Sequence, residues 1–478
     1  MTTLMYTRRR LLTTGAVVLG AAALPLRMLG TESKRIFRSQ DGFLDADLEA
    51  KIDWIPLAGR SAHLFAYNGQ VPGPLLEVRP GDTVRLRFTN HLQSPTNLHF
   101  HGLHVPPTGN ADNAFVEVQS GERFDYEFTL PRNHPAGAFW YHPHVHGSAA
   151  DQVSKGLAGL IVVRGELDEI PEVAAAVERF LVLQDFALDS KGEVTQPAMM
   201  ERMNGREGSL ITVDGEVNPT LPILSGGLLR LRLLNASPSR FYRLKLEEHP
   251  LHLIATDGGA LPAPVSRDEI LIAPGERADI LVSGNLAGGV YRLLNMPYNR
   301  GAMGMMGGPV RVSRPETLAT IVYEGRAATQ VRLPGGLIAV DPLPVPDTPT
   351  RQFVLSEAGI PGRGMSFLIN GKLFDHHRVD TKVRLGSVED WEIVNLSGMD
   401  HPFHLHTNSF QVLDADGQPE RAWKDVILVP RRQRRRFRVR FDDFTGKAFY
   451  HCHILDHEDL GMMGIVEVGN SGEDKHDQ

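Results

Sequence analysis

Gly81-Asp82-Thr83-Val84-Arg85-Leu86-Arg87-Phe88-Thr89-Asn90 alternates apolar and polar side chains and closes on an asparagine. A period of two puts the apolar residues on one face, the pattern of a half-buried strand. An Asn68-Gly69 turn and the run Gly73-Pro74-Leu75-Leu76-Glu77-Val78 precede it. The same order returns at Val213-Asp214-Gly215 with Leu228-Leu229-Arg230-Leu231-Arg232-Leu233-Leu234-Asn235. It returns again at Ile369-Asn370-Gly371 with Val388-Glu389-Asp390-Trp391-Glu392-Ile393-Val394-Asn395. A second strand follows each copy, at Gly137–Tyr141, Gly289–Leu293 and Gly446–Tyr450. Repeats of roughly 150 residues are too long for solenoid units and predict three consecutive β-sandwich domains.

The expected domains are 36–168, 169–325 and 350–470. Residues 326–349, rich in Pro and Gly, read as a linker, and Glu169 to Phe180 as including a short helical connection. The tail Ser471 to Gln478 reads as disordered. A chain of 478 residues with 47 glycines and 32 prolines suits a turn-rich β protein. Its net charge of −7 argues against a nucleic-acid binder. The single cysteine, Cys452, excludes an internal disulfide and any Cys-rich zinc or iron–sulfur site.

Residues 1–30 contain no acid, and Thr7-Arg8-Arg9-Arg10-Leu11-Leu12 leads into an apolar run from Gly15 to Leu24. That run is too short to span a bilayer, and the paired arginines resemble a twin-arginine signal. The expectation is export of the folded protein by the twin-arginine machinery to the periplasm or the outside, with a mature form that does not span the membrane.

Ten of the twenty histidines fall in four windows: His99-Phe100-His101, His142-Pro143-His144, His401-Pro402-Phe403-His404-Leu405-His406, and His451-Cys452-His453 with His457. Buried imidazoles each need a partner, so a purely structural role for ten is implausible. Along a strand, residues i and i+2 share a face. His451 and His453 therefore look one way and Cys452 the other. Two centres follow, one inside the third domain and one shared between the first and third. The inner one combines Cys452, two histidines and a late Met, the ligand set of a blue-copper electron-transfer site. The outer one offers eight imidazoles, which suit copper, zinc or iron.

These four motifs resemble those of the three-domain multicopper oxidases of the laccase type, over nearly the whole chain after residue 30. The resemblance implies three cupredoxin-like Greek-key sandwiches, an all-β fold, and four copper ions. It places type 1 copper on His401, Cys452, His457 and Met462, with Met463 as the next axial candidate. It places type 2 copper on His99 and His404. It places the type 3 pair on His101, His142 and His453, and on His144, His406 and His451. The implied activity is one-electron oxidation of phenolic or aromatic-amine donors, reaching an exposed His457 edge, coupled to reduction of O2 to two waters. Glu458 and Asp112 resemble the family's acidic residues, as proton-relay groups for the four protons consumed. His146 continues the alternation of His142 and His144 as an outer-shell histidine.

Two functions compete. A cuprous or other metal-ion oxidase is disfavoured by the absence of a Met-rich insertion, since residues 350–400 hold only Met365 and Met399. An exported scaffold or copper carrier without activity is disfavoured because no implied ligand is missing. A copper nitrite reductase, with two domains per chain, fits three repeats poorly. Met303, Met305 and Met306 read as a flexible loop. The basic run Arg431 to Arg440 reads as a hairpin with a charged face that protects a sheet edge.

Overall fold

The computed structural model describes residues 35–286, 288–302, 314–360 and 364–470. The signal segment 1–30, Met303, Met305, Met306 and the tail 471–478 lie outside the described residues. Six sheets fall into three pairs, and the pairs repeat one topology. In each pair the first sheet is organised around a parallel partnership. Phe43–Leu57 lies beside Thr83–Asn90, Val177–Phe186 beside Leu228–Asn235, and Arg351–Ile360 beside Ser387–Asn395. The second sheet of each pair contains an equivalent antiparallel ladder. Gly137–His142 pairs with His99–His101, Val290–Met296 with Tyr242–Leu246, and Gly446–Cys452 with His401–Leu405. The fold is all-β, and the few helices are short. Each sandwich encloses its own apolar core, with Phe88 and Phe128 in the first, Leu231 and Ile280 in the second, and Trp391 and Phe437 in the third.

The repeated sequence signals have a repeated physical job. Asn68, Asp214 and Asn370 adopt φ of 52°, 54° and 53°, and the glycines after them 74°, 80° and 70°. Two successive positive φ angles make the mirror-image turn that matches strand twist, which is why Asn/Asp-Gly stands at all three. The closing asparagines are wholly buried. Asn90, Asn235 and Asn395 each accept the backbone N–H two residues on, from Leu92, Ser237 and Ser397. Each also donates to two carbonyls, one near and one remote: Ser94 and Val118, Arg240 and Ile272, Met399 and Val429. The asparagine thereby satisfies backbone groups where the chain leaves the sheet.

The connection after the first sandwich is helical at Glu166–Glu169 and Pro171–Ala174, but the strand Val177–Phe186 begins earlier than expected. Between Arg326 and Arg351 the chain has neither helix nor strand. The basic run corrects the sequence reading. Its strand, Arg434–Phe441, does not lie at an edge; it sits between Ser387–Asn395 and Phe410–Val412. Phe437, Val439 and Phe441 point into the core, and buried Arg438 is bidentate to Asp390 at 2.7 and 3.0 Å. No helix among the described residues is long and apolar enough to cross a membrane.

Asn235→Ala tests the closing asparagine in the sandwich that carries no histidine cluster. It leaves the Arg240 and Ile272 carbonyls and the Ser237 N–H without their partner. Urea denaturation of copper-free protein is expected to show a loss of about 2 kcal/mol. A loss below about 0.5 kcal/mol would mean that water replaces the amide.

Candidate metal centres

The histidine strands form the antiparallel ladders of the second sheets in the first and third sandwiches. Their counterpart in the second, Tyr242–Leu246, carries Tyr242, Leu244 and Leu246 instead. Register sets the rest: His99 stands opposite His142, and His404 opposite His451. All ten clustered histidines are buried.

Cys452 and its two flanking histidines face opposite ways. On the inner side, Cys452 Sγ lies 3.3 Å from His401 Nδ1 and 3.9 Å from His457 Nδ1, and the two nitrogens are 3.3 Å apart. The helix Leu455–Asp459 brings His457 back over the sulfur, and the Ile454 N–H donates to Sγ at 3.4 Å. The outer nitrogens are occupied. His401 Nε2 meets Ser397 Oγ at 2.7 Å, and His457 Nε2 donates to the Met203 carbonyl at 3.1 Å. Both Nδ1 lone pairs are thereby directed at the sulfur. Met462 is buried in the core cluster that contains Cys452, while Met463 packs away from it, against Ala114, Phe449 and Ile465. The two methionines thus pack in different clusters, Met462 on the Cys452 side.

On the outer side, the Nε2 atoms of His144, His406 and His451 lie 3.1 to 3.2 Å from one another. His99 and His404 face each other, Nε2 to Nε2, at 3.5 Å. His101 and His142 join His99 in one group of converging nitrogens. The His453 ring centre lies 4.9 Å from that of His101 and 5.6 Å from that of His142. Bonds on the far nitrogen fix which one looks inward. Nδ1 of His99 is held by Asp112 at 2.9 Å, of His142 by the Pro143 carbonyl at 3.0 Å, and of His404 by the Asp425 carbonyl at 2.8 Å. His101 is reversed: its Nε2 bonds to Asp425 Oδ1 at 2.9 Å and its Nδ1 faces inward.

His101 Nδ1, His142 Nε2 and both nitrogens of His453 are buried without a hydrogen-bond partner. Such orphans are costly, and converging imidazole lone pairs repel unless a cation lies among them. The donor set therefore fits metal ions. Burial holds His142 down at about 3 and His144 and His401 at about 4 and 3, so the imidazoles are neutral, the form that ligates. Burial likewise pushes the Cys452 thiol up, so that metal binding must displace its proton.

The two expected acids occupy defined places. Asp112 accepts from His99 Nδ1 and from the Phe100 N–H at 2.8 Å, and burial raises it to about 7. Glu458 lies 3.1 Å from His451 Nδ1 and 3.7 Å from His144 Nδ1. Its burial opposes ionisation, but these imidazoles hold it well below the usual carboxylate range.

Two expectations are corrected. His457 has no exposed edge: Phe367 stacks on it at 3.9 Å, and the helix Met199–Met203 ends at its Nε2. His146 is exposed and packs on Phe374 in a cleft of about 720 Å³ with Glu117, His376 and His377. A separate small void is lined by His144 together with His146, Phe374 and Phe449. Asp425, Arg277, Ser397 and the Met203 carbonyl were not singled out from the sequence. None sits in a spaced motif, and only the folded chain brings them to the histidines.

Family models described as multicopper oxidase match residues 50–168, 182–326 and 344–472. The chain belongs to the multicopper oxidase family and is an oxidoreductase that uses copper. Among solved structures it resembles the multicopper oxidase of Campylobacter jejuni, a metallo-oxidase, with a TM-score of 0.80 and 32% identity over 91% of this chain and 94% of that one. It also resembles the laccase-like oxidase CueO of Ochrobactrum sp., which has oxidase activity towards lignin model compounds and lignosulfonate. There the TM-score is 0.77 and identity 28%, over 91% of this chain and 99% of that one. The cell division protein FtsP of Yersinia pestis is 30% identical over 453 residues, 88% of this chain and 90% of that protein.

Asp112→Ala removes the acceptor that orients His99. Copper titration is expected to show about 10- to 100-fold weaker binding at the histidine-only centre, with the Cys452 centre unaffected. Unchanged affinity would show that His99 is oriented without Asp112.

Proposed function

We propose that the chain is a four-copper oxidase that couples one-electron oxidation of a donor at the Cys452 centre to four-electron reduction of O2 to water at the histidine-only centre. In this reading, type 1 copper is held by His401, Cys452, His457 and Met462, and type 2 by His99 and His404. The type 3 pair is held by His101, His142 and His453 and by His144, His406 and His451, and the three domains run 36–168, 169–325 and 350–470. The observation that carries the reading is Cys452 facing one nitrogen–sulfur cluster while its neighbours His451 and His453 belong to the other. Bound copper would supply one-electron chemistry at the first centre and O2 reduction at the second. The protein's own part is to keep the imidazoles neutral and aimed, to join the centres by one covalent Cys–His step, and to keep bulk water out. Asp112 and Glu458 stand beside cluster histidines, where a carboxylate can take up a proton and then pass it on, relaying those that water formation consumes.

The donor is read from what covers His457. The sequence put phenolic and aromatic-amine donors first because residues 350–400 hold only Met365 and Met399, with an exposed His457 edge as the expected route of transfer. That edge is covered by the helix Met199–Met203, with Met199 and Met200 exposed and Met203 packed on the Cys452 core. Soft thioethers suit a soft metal ion. A donor such as Cu(I), delivered across this helix, therefore ranks first and phenols second. The scaffold or copper-carrier reading, raised from the sequence and given weight by the cell division protein relatives, ranks below both because every implied ligand is in place. Arg8 and Arg9 support export to the periplasm or the outside through the twin-arginine machinery.

Metal analysis is expected to give about four coppers per chain, one of them thiolate-bound. Cys452→Ser is expected to lose the intense blue absorption and turnover while keeping the fold by circular dichroism; a blue, active variant would overturn the assignment. Replacing Met199, Met200 and Met203 together by Leu separates the donors under an O2-consumption assay. A selective fall of about tenfold or more in Cu(I) oxidation, with methoxyphenol oxidation kept, supports the metal-ion reading. Equal retention of both activities restores phenols to first place.

A further inference from the structure

The second sandwich supplies none of the converging ligands, yet one of its side chains reaches the histidine-only centre. Arg277 begins the strand Arg277–Ser283 and is buried. Its guanidinium forms a two-point pair with Asp425 of the third sandwich, through Nη1–Oδ1 at 2.8 Å and Nη2–Oδ2. Its Nε donates at 3.0 Å to the carbonyl of Ala138, on the strand of the first sandwich that carries His142. The Gly275 and Asp257 carbonyls, both at 2.9 Å, take remaining N–H groups. One planar cation thus ties three sandwiches together.

We propose that Arg277 is a positioning residue for the copper cluster, acting through Asp425 on His101 and His404. Asp425 holds both: Oδ1 accepts from His101 Nε2 at 2.9 Å, and its backbone carbonyl accepts from His404 Nδ1 at 2.8 Å. The bond at Nε2 turns His101 so that Nδ1 faces the centre, opposite to His99, His142 and His404. A buried carboxylate is held in one orientation only while its charge is paired and its lone pairs are filled. Arg277 does both, and its fork fixes the carboxylate plane as a lysine cannot. The backbone around it is shaped for the same contact. A Cβ on Gly102, the residue after His101, would intrude on Arg277 Nη2 and Asp425 Oδ2. A Cβ on Gly275, where φ is +84°, would lie 3.0 Å from three atoms of the His453 ring. The segment 275–277 is therefore a cradle against which the histidines of the other two sandwiches are set.

The inference rests on the reading that these eight histidines hold copper. Wild-type protein that binds no copper beyond the Cys452 centre would sink that reading, before Arg277 is touched. With copper-loaded wild type as reference, Arg277→Gln and Arg277→Lys are compared by copper content, blue absorption, the electron paramagnetic signal of the histidine-bound copper, and melting of the metal-free forms. Arg277→Gln is expected to bind cluster copper about 10- to 100-fold more weakly while the blue absorption, which reports a centre Arg277 does not touch, keeps its strength. Arg277→Lys keeps the charge but not the fork, and is expected to retain more copper with an altered paramagnetic signal. Wild-type copper content and an unchanged signal in Arg277→Gln would overturn the proposal. So would loss of both centres in step with a lower melting temperature of the metal-free form, which marks a general structural prop. If Arg277→Gln does not accumulate, Arg277→Lys decides: an unchanged signal overturns the proposal and an altered one with intact blue absorption supports it.

Discussion

In an extended strand, consecutive side chains leave on opposite faces, and at Cys452 that rule separates two chemistries by a single residue. The strand Gly446–Cys452 turns its thiol towards the core of its own sandwich, beside His401 and His457, and turns His451 outwards to meet His144 from the first sandwich. Any one-residue slip in this strand would exchange the two faces and destroy both centres together. The register is secured by ladders on both sides, to His401–Leu405 and to Met463–Gly469. The core of the third sandwich lies behind Cys452, and a separate small apolar cluster surrounds Phe449.

The second constraint is that an imidazole has two nitrogens and a metal uses one. Around the centres the bonded far nitrogens find three kinds of partner: a carboxylate for His99, backbone carbonyls for His142, His404 and His457, and the Ser397 hydroxyl for His401. This variety explains why no short sequence pattern encodes it. Backbone carbonyls are available at every residue, so their selection depends on where loops return. The reversed orientation of His101 has the same origin, since its partner, Asp425, is 324 residues away in the chain.

That distance also marks how far the sequence could be read. The three Asn/Asp-Gly turns, the closing asparagines and the four histidine windows are local signals, and strand alternation converts them directly into sandwiches and converging ligands. Met462, just before the strand Met463–Gly469, was placed ahead of Met463 by the resemblance, and only the folded chain shows the two packing in different clusters. Long-range contacts were invisible: the cover of the helix Met199–Met203 over His457, the central position of Arg434–Phe441, and the three-way contact of Arg277. Each depends on how whole sandwiches meet, which periodicity within a strand does not specify. The error at His457 followed from this, because a histidine at the end of the chain's last motif gives no sign of a helix from the middle of the sequence lying on it.

The middle sandwich keeps the repeated topology but has Tyr242, Leu244 and Leu246 where its neighbours have histidines. Freed from ligation, it contributes to both centres from outside: a helix whose last carbonyl fixes His457, and a glycine–arginine segment that backs His453 and Asp425. The ligands of the outer centre come from two sandwiches that need not, by their own folds, keep a fixed separation. A nitrogen–nitrogen spacing near 3 Å across that boundary tolerates little sliding. The third body that touches both sides supplies the stiffness, and a buried, fully bonded guanidinium suits the task because it can satisfy carbonyls of one sandwich and a carboxylate of another at once. The repeat without histidines is thus what allows the two repeats with them to share a site.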